Sequence, residues 1–307
     1  MTELENSPVI EDDGPGQYEI LEGILDALEC ADEVEQLYLH GPEPGLSVGL
    51  SALNPFYTVK KGQWTVVTGV PGSGKSTVVD SMMINLSETY GWKHLICSPE
   101  NQPVSRHIAA LAGMHARKTF HREYMSEESY LASLKFVQDH FRFIHPPEDN
   151  FTPAYILELG KVVEAQGFSF DGFVIDPWNE MEHRRPQAFS ETEYTSYALS
   201  KFRRYVRDYN KHLWLIAHPT KQRRLEIKTT TLEDTAKPTF PVVSLYDISG
   251  SAHWFNKCDN GLSIWRDKYA HDNQTTIHVL KIRFRECGGL GQAVVRFDWQ
   301  TGRIEDL

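Results

Sequence analysis

Lysine and arginine are absent from the first fifty residues of this 307-residue chain, although that stretch carries 13 of its 42 acidic residues. The remaining 257 residues hold 29 acidic and 31 basic side chains. The formal charge of -11 is therefore a property of the N-terminal segment, and the rest is close to neutral. Bulk charge gives no support to a nucleic-acid binder, so a basic surface would have to be a local channel. Cysteine is scarce: Cys30, Cys97, Cys258 and Cys287 stand far apart, without metal-ligand spacing and too few for a disulfide scaffold. A reduced, intracellular protein is the expectation. Long apolar runs are missing too, which argues against a membrane partner. The start, MTELENSPVIEDDGPG, lacks the basic stretch of a secretory signal, so a cytoplasmic location is expected.

What is present is an ample core-forming fraction, 40% hydrophobic, and one dominant motif. Gly69-Val70-Pro71-Gly72-Ser73-Gly74-Lys75-Ser76 has the form of a phosphate-binding loop. The apolar run Trp64–Thr68 before it reads as a strand, and the stretch from Thr77 onward reads as a helix. In that context the loop through Gly69, Pro71, Gly72, Ser73 and Gly74 can wrap phosphates with its backbone amides at a helix N-terminus. Lys75 is placed to reach the β- and γ-phosphates, Ser76 to ligate magnesium, and Thr77 to line the same site. ATP or another nucleoside triphosphate with Mg2+ is the expected cofactor.

Along the chain, residues 1–16 read as a disordered acidic tail. Gln17 to about Tyr38 reads as an acidic helix, with Ile20, Leu21, Ile24, Leu25 and Leu28 at helical spacing. The breaker Gly41-Pro42-Glu43-Pro44-Gly45 closes a linker segment over 17–45. That helix can pack on its own domain or dock on a neighbouring subunit. From residue 46 to 307, short apolar runs alternate with helical stretches, the pattern of an α/β fold with a mostly parallel sheet. The expected strands are Trp64–Gly69, His94–Ser98, Phe141–Ile144, Gly172–Asp176, His212–Ala217, Gly261–Arg266, Thr275–Ile282 and Ala293–Asp298. The last two form an antiparallel C-terminal hairpin through the glycine-rich turn at 286–291. Arg223 to Pro241 reads as a mobile loop.

Polar residues cluster at expected strand ends, where open α/β sheets place ligands. Asp176 ends the apolar run Phe173–Ile175 and is suited to the magnesium shell beside Ser76; capping a helix opened by Pro177 is the alternative. Glu100, in Ser98-Pro99-Glu100, can polarise an attacking water, or can be an ordinary loop glutamate. His218, after His212–Ala217, can report the γ-phosphate state through a hydrogen bond, or can be a satisfied polar side chain.

In order, Gly69–Ser76, Ser98–Glu100, Val174–Asp176, Ile216–His218, Asp247-Ile248-Ser249-Gly250-Ser251 and Leu280-Lys281-Ile282-Arg283-Phe284 run on to Thr301-Gly302-Arg303. This series resembles the RecA-like helicase domain of ring-forming replicative helicases, a group that includes the phage primase-helicases and the mitochondrial and bacterial replicative helicases. The resemblance covers about Leu46 to Arg303. It implies a RecA-like P-loop NTPase core and an ATP-driven 5′–3′ DNA helicase acting as a homo-oligomeric ring, a hexamer by expectation, on single-stranded DNA.

The resemblance also implies roles. Glu100 matches the water-activating carboxylate, Asp176 the second magnesium-site residue and His218 the phosphate sensor. Arg283 matches an arginine finger inserted into the next subunit's nucleotide, with Lys281 as the basic residue beside it. Gly250, Ser251, His253, Asn256 and Lys257 fall in the central-channel loop that grips DNA. Ser249 and Phe255 depart from the basic residues usual there. Trp254 can stack on a base or pack into the core. A second channel loop is expected within 182–193, with Arg184 and Arg185 as contacts. The acidic helix takes the place of the linker helix, which favours docking on an adjacent subunit. With no paired-cysteine zinc site and no room for a primase domain, a separate primase, polymerase or loader is expected as partner. By analogy, the architecture looks viral, acting in a host cytoplasm. Two other readings stay open: a filament-forming RecA-like recombination or repair ATPase, and a regulatory P-loop ATPase directed at protein.

Overall fold

A computed structural model describes residues 26–147, 150–220, 241–250, 252–267 and 273–307. The expected tail 1–16, residues 17–25 of the expected helix, Ser251 and nearly all of the expected loop 223–241 lie outside the described residues.

The chain divides into two units, Met1–Glu43 and Pro44–Leu307. In the first, the described helix is α1, Ala31–His40, and the sequence expectation of helix over residues 26–30 is not met. Residues 27–30 form a turn, where Asp26 Oδ1 accepts the N–H groups of Leu28 and Glu29 and competes with a helical path. No residue of α1 is buried. Among the described residues no helix is long and apolar enough to cross a membrane.

The second unit is built on one sheet. Its strands are β1 Trp64–Thr68, β2 His94–Cys97, β3 Phe141–Phe143, β4 Gly172–Ile175, β5 His212–Ile216, β6 Asn260–Trp265, β7 Gln274–Ile282, β8 Gly291–Phe297 and β9 Ile304–Asp306. Their order is β3-β2-β4-β5-β1-β6-β7-β8-β9. The six from β3 to β6 in that order pair in parallel, and β7, β8 and β9 run antiparallel. The sheet agrees with the sequence expectation to within two residues at each strand end. Only β9 was not foreseen: Ile304-Glu305-Asp306 offers a single apolar residue, too little for a strand pattern.

β1, β2, β4 and β5 are buried along their whole length, as expected of parallel strands covered on both faces. Helices α2 Lys75–Tyr90, α3 Val104–Ala116 and α4 Glu127–His140 pack with Val67, Ile96, Val174 and Ile216 on one face. Helices α5 Pro153–Ala165, α6 Glu191–Asp208 and α7 Ala252–Lys257 contribute to the core with Val66, Leu95, Phe173 and Leu215 on the other. Alternate residues of each strand thus serve opposite cores, the period of two at work. α6 starts sharply because Ser190 and Glu193 form a capping box.

The C-terminal strand is stitched to α2. Arg303 is 1% exposed. Its guanidinium lies 2.7 Å from Glu88, donates to the Met114 carbonyl at 2.9 Å and also bonds Asn85. The Ile304 N–H donates to Ser81 Oγ at 2.9 Å. The arginine of Thr301-Gly302-Arg303 is thus a structural anchor for the helix that follows the phosphate loop.

His94 lies fully buried against Trp92, Phe141 and Trp214, with neither ring nitrogen hydrogen-bonded. It fits because Gly172 opposes it: a Cβ there would stand 2.3 Å from His94 Nδ1. Burial pulls its pKa from 6.5 down to about 3, against the weaker pull of Asp171. A depressed histidine stabilises the fold fully above the unfolded value of 6.5, and that contribution is lost as pH falls, because the unfolded chain takes the proton first. From pH 7 to 5 this one residue should cost about 2 kcal/mol. Melting temperature measured across that range should fall, and His94→Phe should flatten the slope. An unchanged slope in the variant would remove His94 as the cause.

Candidate functional site

The turn after β1 is held by glycine. Gly69 has φ 143°, and a Cβ there would meet the Ile264 carbonyl oxygen at 2.3 Å. Gly72 and Gly74 also adopt positive φ, 73° and 92°. They curl Pro71, Gly72, Ser73 and Gly74 into a loop whose end is the first turn of α2. The Lys75 ammonium is buried inside this curl, donating to the carbonyls of Gly69 at 3.0 Å and Val70 at 3.3 Å. A cation so held, beside the N–H groups of a helix start, has the chemistry that suits phosphate. Thr77, one residue into the helix from Ser76, lines the adjacent cleft.

Ser76 Oγ donates to Asp176 Oδ2 at 2.6 Å. Asp176 follows β4 directly, and its N–H donates to the Cys97 carbonyl at 2.9 Å, which locks β4 to β2 at this end. Asp176 therefore faces Ser76; the 3-10 turn Trp178–Glu180 that follows has no side-chain cap. Burial pushes the Asp176 carboxyl up to about 6. The Ser76 hydrogen bond opposes this, while Asp80 and Glu100 add repulsion and Lys75 relieves some. Among the described residues no three His, Cys, Asp or Glu side chains are placed to cage a metal. Magnesium in nucleotide sites takes one or two protein oxygens and fills its shell with phosphate and water. The Ser76–Asp176 pair fits that donor set.

Glu100 and His218, following β2 and β5, come together across the end of β4, Oε1 to Nε2 3.3 Å. The His218 N–H donates to Asn179 Oδ1 at 2.7 Å, fixing the strand exit. Asn101 bonds Ser98 Oγ at 2.9 Å and shapes the turn that carries Glu100. Sheet order β2-β4-β5-β1 thus sets Glu100, Asp176, His218 and the phosphate loop side by side at the carboxyl ends of their strands. A cleft of about 410 Å³ opens there, with Ser76, Thr77, Asp80, Glu100, Asn101 and His107 among its walls.

Sequence reasoning missed Asp80 and His107. The imidazole sits 3.1 Å from both Asp80 oxygens, and both residues are buried. Burial alone would lower the His107 pKa, but the Asp80 carboxylate outweighs it and the net shift is upward. The available signal was spacing: Asp80 stands four residues after Ser76, on the same helix face.

Lys281 and Arg283 do not join this group. The register pairs Ile282 with Asn260, and Asn260 with Thr65 near the start of β1. The phosphate loop is at the other end of β1, ~13 Å away along the strand at 3.3 Å per residue. Lys281 donates to the Phe255 carbonyl and lies over the Phe255 ring. Arg283 Nε is 3.0 Å from Asp259 Oδ1, and its guanidinium also reaches the carbonyls of Asn256 and Cys258.

The expected DNA-contacting residues form two adjoining segments. Ser249 Oγ donates to Glu191 Oε1 at 2.5 Å, and Gly250 packs on Thr195, so this loop seats on the first turns of α6. The preceding segment carries Arg184 and Arg185, both exposed, with Arg184 Nε 3.0 Å from Glu182. Asn256 is exposed, and the His253 N–H donates to the Gly250 carbonyl at 3.3 Å. Lys257 turns inward to Ser200 Oγ at 2.5 Å. Trp254 is fully buried, with its ring edge-on to Trp178 and its N–H on the Ser249 carbonyl at 2.6 Å. It packs the core and offers no face to a base. A bridge between Pro219 and Ile248 joins the exit of β5 to this loop, one residue beyond His218.

No family model matches the chain. It is 35% identical to the Twinkle homolog protein, chloroplastic/mitochondrial, of Arabidopsis thaliana, over 302 residues. That similarity covers 94% of this chain, which spans 40% of the relative's length. A solved ATPase domain superposes with a TM-score of 0.70 at 14% identity, covering 92% of this chain and 100% of that one. A DnaB-like replicative helicase, solved in a study of its interactions with primase, also gives 0.70, at 15% identity, covering 92% of this chain and 67% of the other. At these identities the two structures speak for a shared fold.

Proposed function

Because the chain is a RecA-like P-loop ATPase domain related to a Twinkle homolog protein, we propose that it is an NTP-hydrolysing motor. The finer reading is an ATP-dependent 5′–3′ DNA helicase that encircles single-stranded DNA as a ring. One observation carries it: the phosphate loop and the Lys281–Arg283 pair sit at opposite ends of the sheet. A lone subunit therefore has a nucleotide site without its cationic finger, and a finger without a nucleotide. Head-to-tail packing of identical subunits brings one to the other, and such packing closes into rings.

In this reading ATP or a related triphosphate lies along Gly69–Thr77, and Mg2+ is held by Ser76 with Asp176 in its shell. When bound, the metal supplies charge neutralisation at the phosphates. Lys75 draws charge from the β- and γ-phosphates, and Glu100 orients water for in-line attack. His218 senses the terminal phosphate through its contact with Glu100. The Pro219–Ile248 bridge links that event to Ser249 and Gly250, the start of the DNA loop. Single-stranded DNA is read through Gly250, Ser251, His253 and Asn256, with Arg184 and Arg185 supplying exposed positive charge. Lys257 contributes only if it leaves Ser200. The exposed apolar side chains of α1, including Val34 and Tyr38, suit docking on a neighbouring subunit.

ATP hydrolysis with and without a single-stranded oligonucleotide, beside mass determination in ATP and Mg2+, tests the proposal. The expected result is DNA-stimulated turnover in a closed oligomer. Turnover by a monomer, indifferent to DNA, would overturn the ring-helicase reading in favour of a protein-directed ATPase. Stimulated turnover in an open filament would favour a recombination or repair ATPase.

A further inference from the structure

At the end of the sheet remote from the phosphate loop, cations gather around one carboxylate. Asp259 is fully buried. Its Oδ2 accepts the Trp64 N–H at 3.3 Å, and its Oδ1 lies 3.0 Å from Arg283 Nε. Arg203 and Arg207, from one face of α6, are near enough to act on it as well. Lys257 and Lys281 border the same group.

This is far more positive charge than Asp259 can balance. Burial lowers the pKa of Lys257, of Lys281 and of Arg203. Repulsion among the cations adds to it: Arg203 presses on both lysines, and Arg283 and Arg207 press on Arg203. Holding such an excess partly out of water costs free energy, and a bound anion removes that cost.

Most members already have a polar partner. Lys257 bonds Ser200, Lys281 bonds the Phe255 carbonyl, and Arg283 bonds Asp259. Arg203 is different: its Nε is buried and without a hydrogen-bond partner. A buried N–H in that state calls for a ligand. A guanidinium with spare donors, beside a second guanidinium and an ammonium, matches the tetrahedral oxygens of a phosphate. The chain's own phosphate loop is at the other end of β1 and cannot deliver one.

We propose that Arg203 is a phosphate ligand: with Lys281 and Arg283 it forms an anion site that receives the terminal phosphate of a nucleotide held by a second copy of this chain. Buried Asp259 is the post that positions Arg283 within that site. The inference rests on the trans-acting reading of Arg283 and adds a residue that no sequence motif marks. The same phosphate chemistry could come from a DNA backbone, so the test separates the two sources.

Arg203→Ala is assayed in the full chain with ATP and Mg2+, first without DNA. The expected result is a kcat roughly tenfold or more below wild type, with KM within about threefold, since a ligand of the developing charge acts on kcat. Arg203→Lys should recover part of the loss. Arg203→Ala is then mixed with Lys75→Ala, each of which is slow alone. Equal mixing leaves about one interface in four with an intact phosphate loop facing an intact Arg203. Turnover should rise above both parents, which a purely structural role in cis would not produce.

Lys75→Ala mixed with Arg283→Ala is the control. Recovery there, but not with Arg203→Ala, overturns the Arg203 assignment and leaves the proposed function standing. Recovery in neither pair overturns both. Wild-type kcat in Arg203→Ala overturns the inference, as does a loss confined to DNA-stimulated turnover, which would make DNA phosphate the ligand. Arg203→Gln carries the same mixing test if the alanine variant does not fold.

Discussion

Lys75→Ala should abolish nucleotide turnover, lowering kcat/KM by roughly 10³-fold or more. The lysine is the buried cation of the phosphate loop, held by the Gly69 and Val70 carbonyls. On nucleotide binding the ammonium can turn from those carbonyls to phosphate oxygens, exchanging one set of acceptors for a charged one. The fold should survive, because truncation leaves no charge buried without a partner at Lys75 itself. The Asp176 carboxyl, which Lys75 holds down, should titrate higher still. A coupled hydrolysis assay and a melting curve, taken together, decide the matter. Turnover within tenfold of wild type would remove the assigned role, and collapse of the melting transition would make the lysine structural.

The second large effect is expected at Arg283, and only in the assembled protein. Arg283→Ala should lower kcat by about 10³-fold, the scale of a finger that neutralises charge on the transferring phosphoryl group. Its position at the far end of β1 from its own phosphate loop requires that this act between subunits. Mixing the variant with Lys75→Ala should then raise turnover above both parents, because some interfaces pair an intact phosphate loop with an intact Arg283. The variant also strips Asp259, fully buried, of its 3.0 Å partner, so a lower melting temperature is expected alongside. Arg283→Lys separates the two consequences. It restores a positive charge near Asp259 but not the planar fork, so stability should return while turnover stays low. Failure of the Lys75→Ala mixture to exceed both parents would sink the trans assignment.

Local signals made much of this molecule readable before folding. The phosphate loop is eight contiguous residues, and its chemistry follows from backbone permissiveness at Gly69, Gly72 and Gly74 with Lys75 and Ser76 in fixed sequence positions. The parallel strands are apolar runs because both faces are covered, and that pattern survives without knowledge of the partners. Asp176, Glu100 and His218 were legible as polar residues following such runs.

Contacts between distant segments were not legible. Asp80 and His107 lie on different helices, 27 residues apart, and neither sits in a recognisable series. Arg303 entered only as the end of a motif series, yet it reaches Glu88, 215 residues away, and is buried. Trp254 was open between base and core until Trp178 was found against its edge. Among the described residues the acidic helix begins only at Ala31, because side-chain turns around Asp26 compete with helical bonds, an effect that apolar spacing does not register.

Sequence alone determined a strand–loop–helix unit whose lysine and helix start suit nucleotide phosphates, because every group involved is a near neighbour along the backbone. It could not settle at which end of the sheet the Lys281–Arg283 pair stands. That depends on β6 lying parallel to β1 and β7 turning back antiparallel. A strand's direction is a property of its pairing, and pairing exists only once the chain has folded.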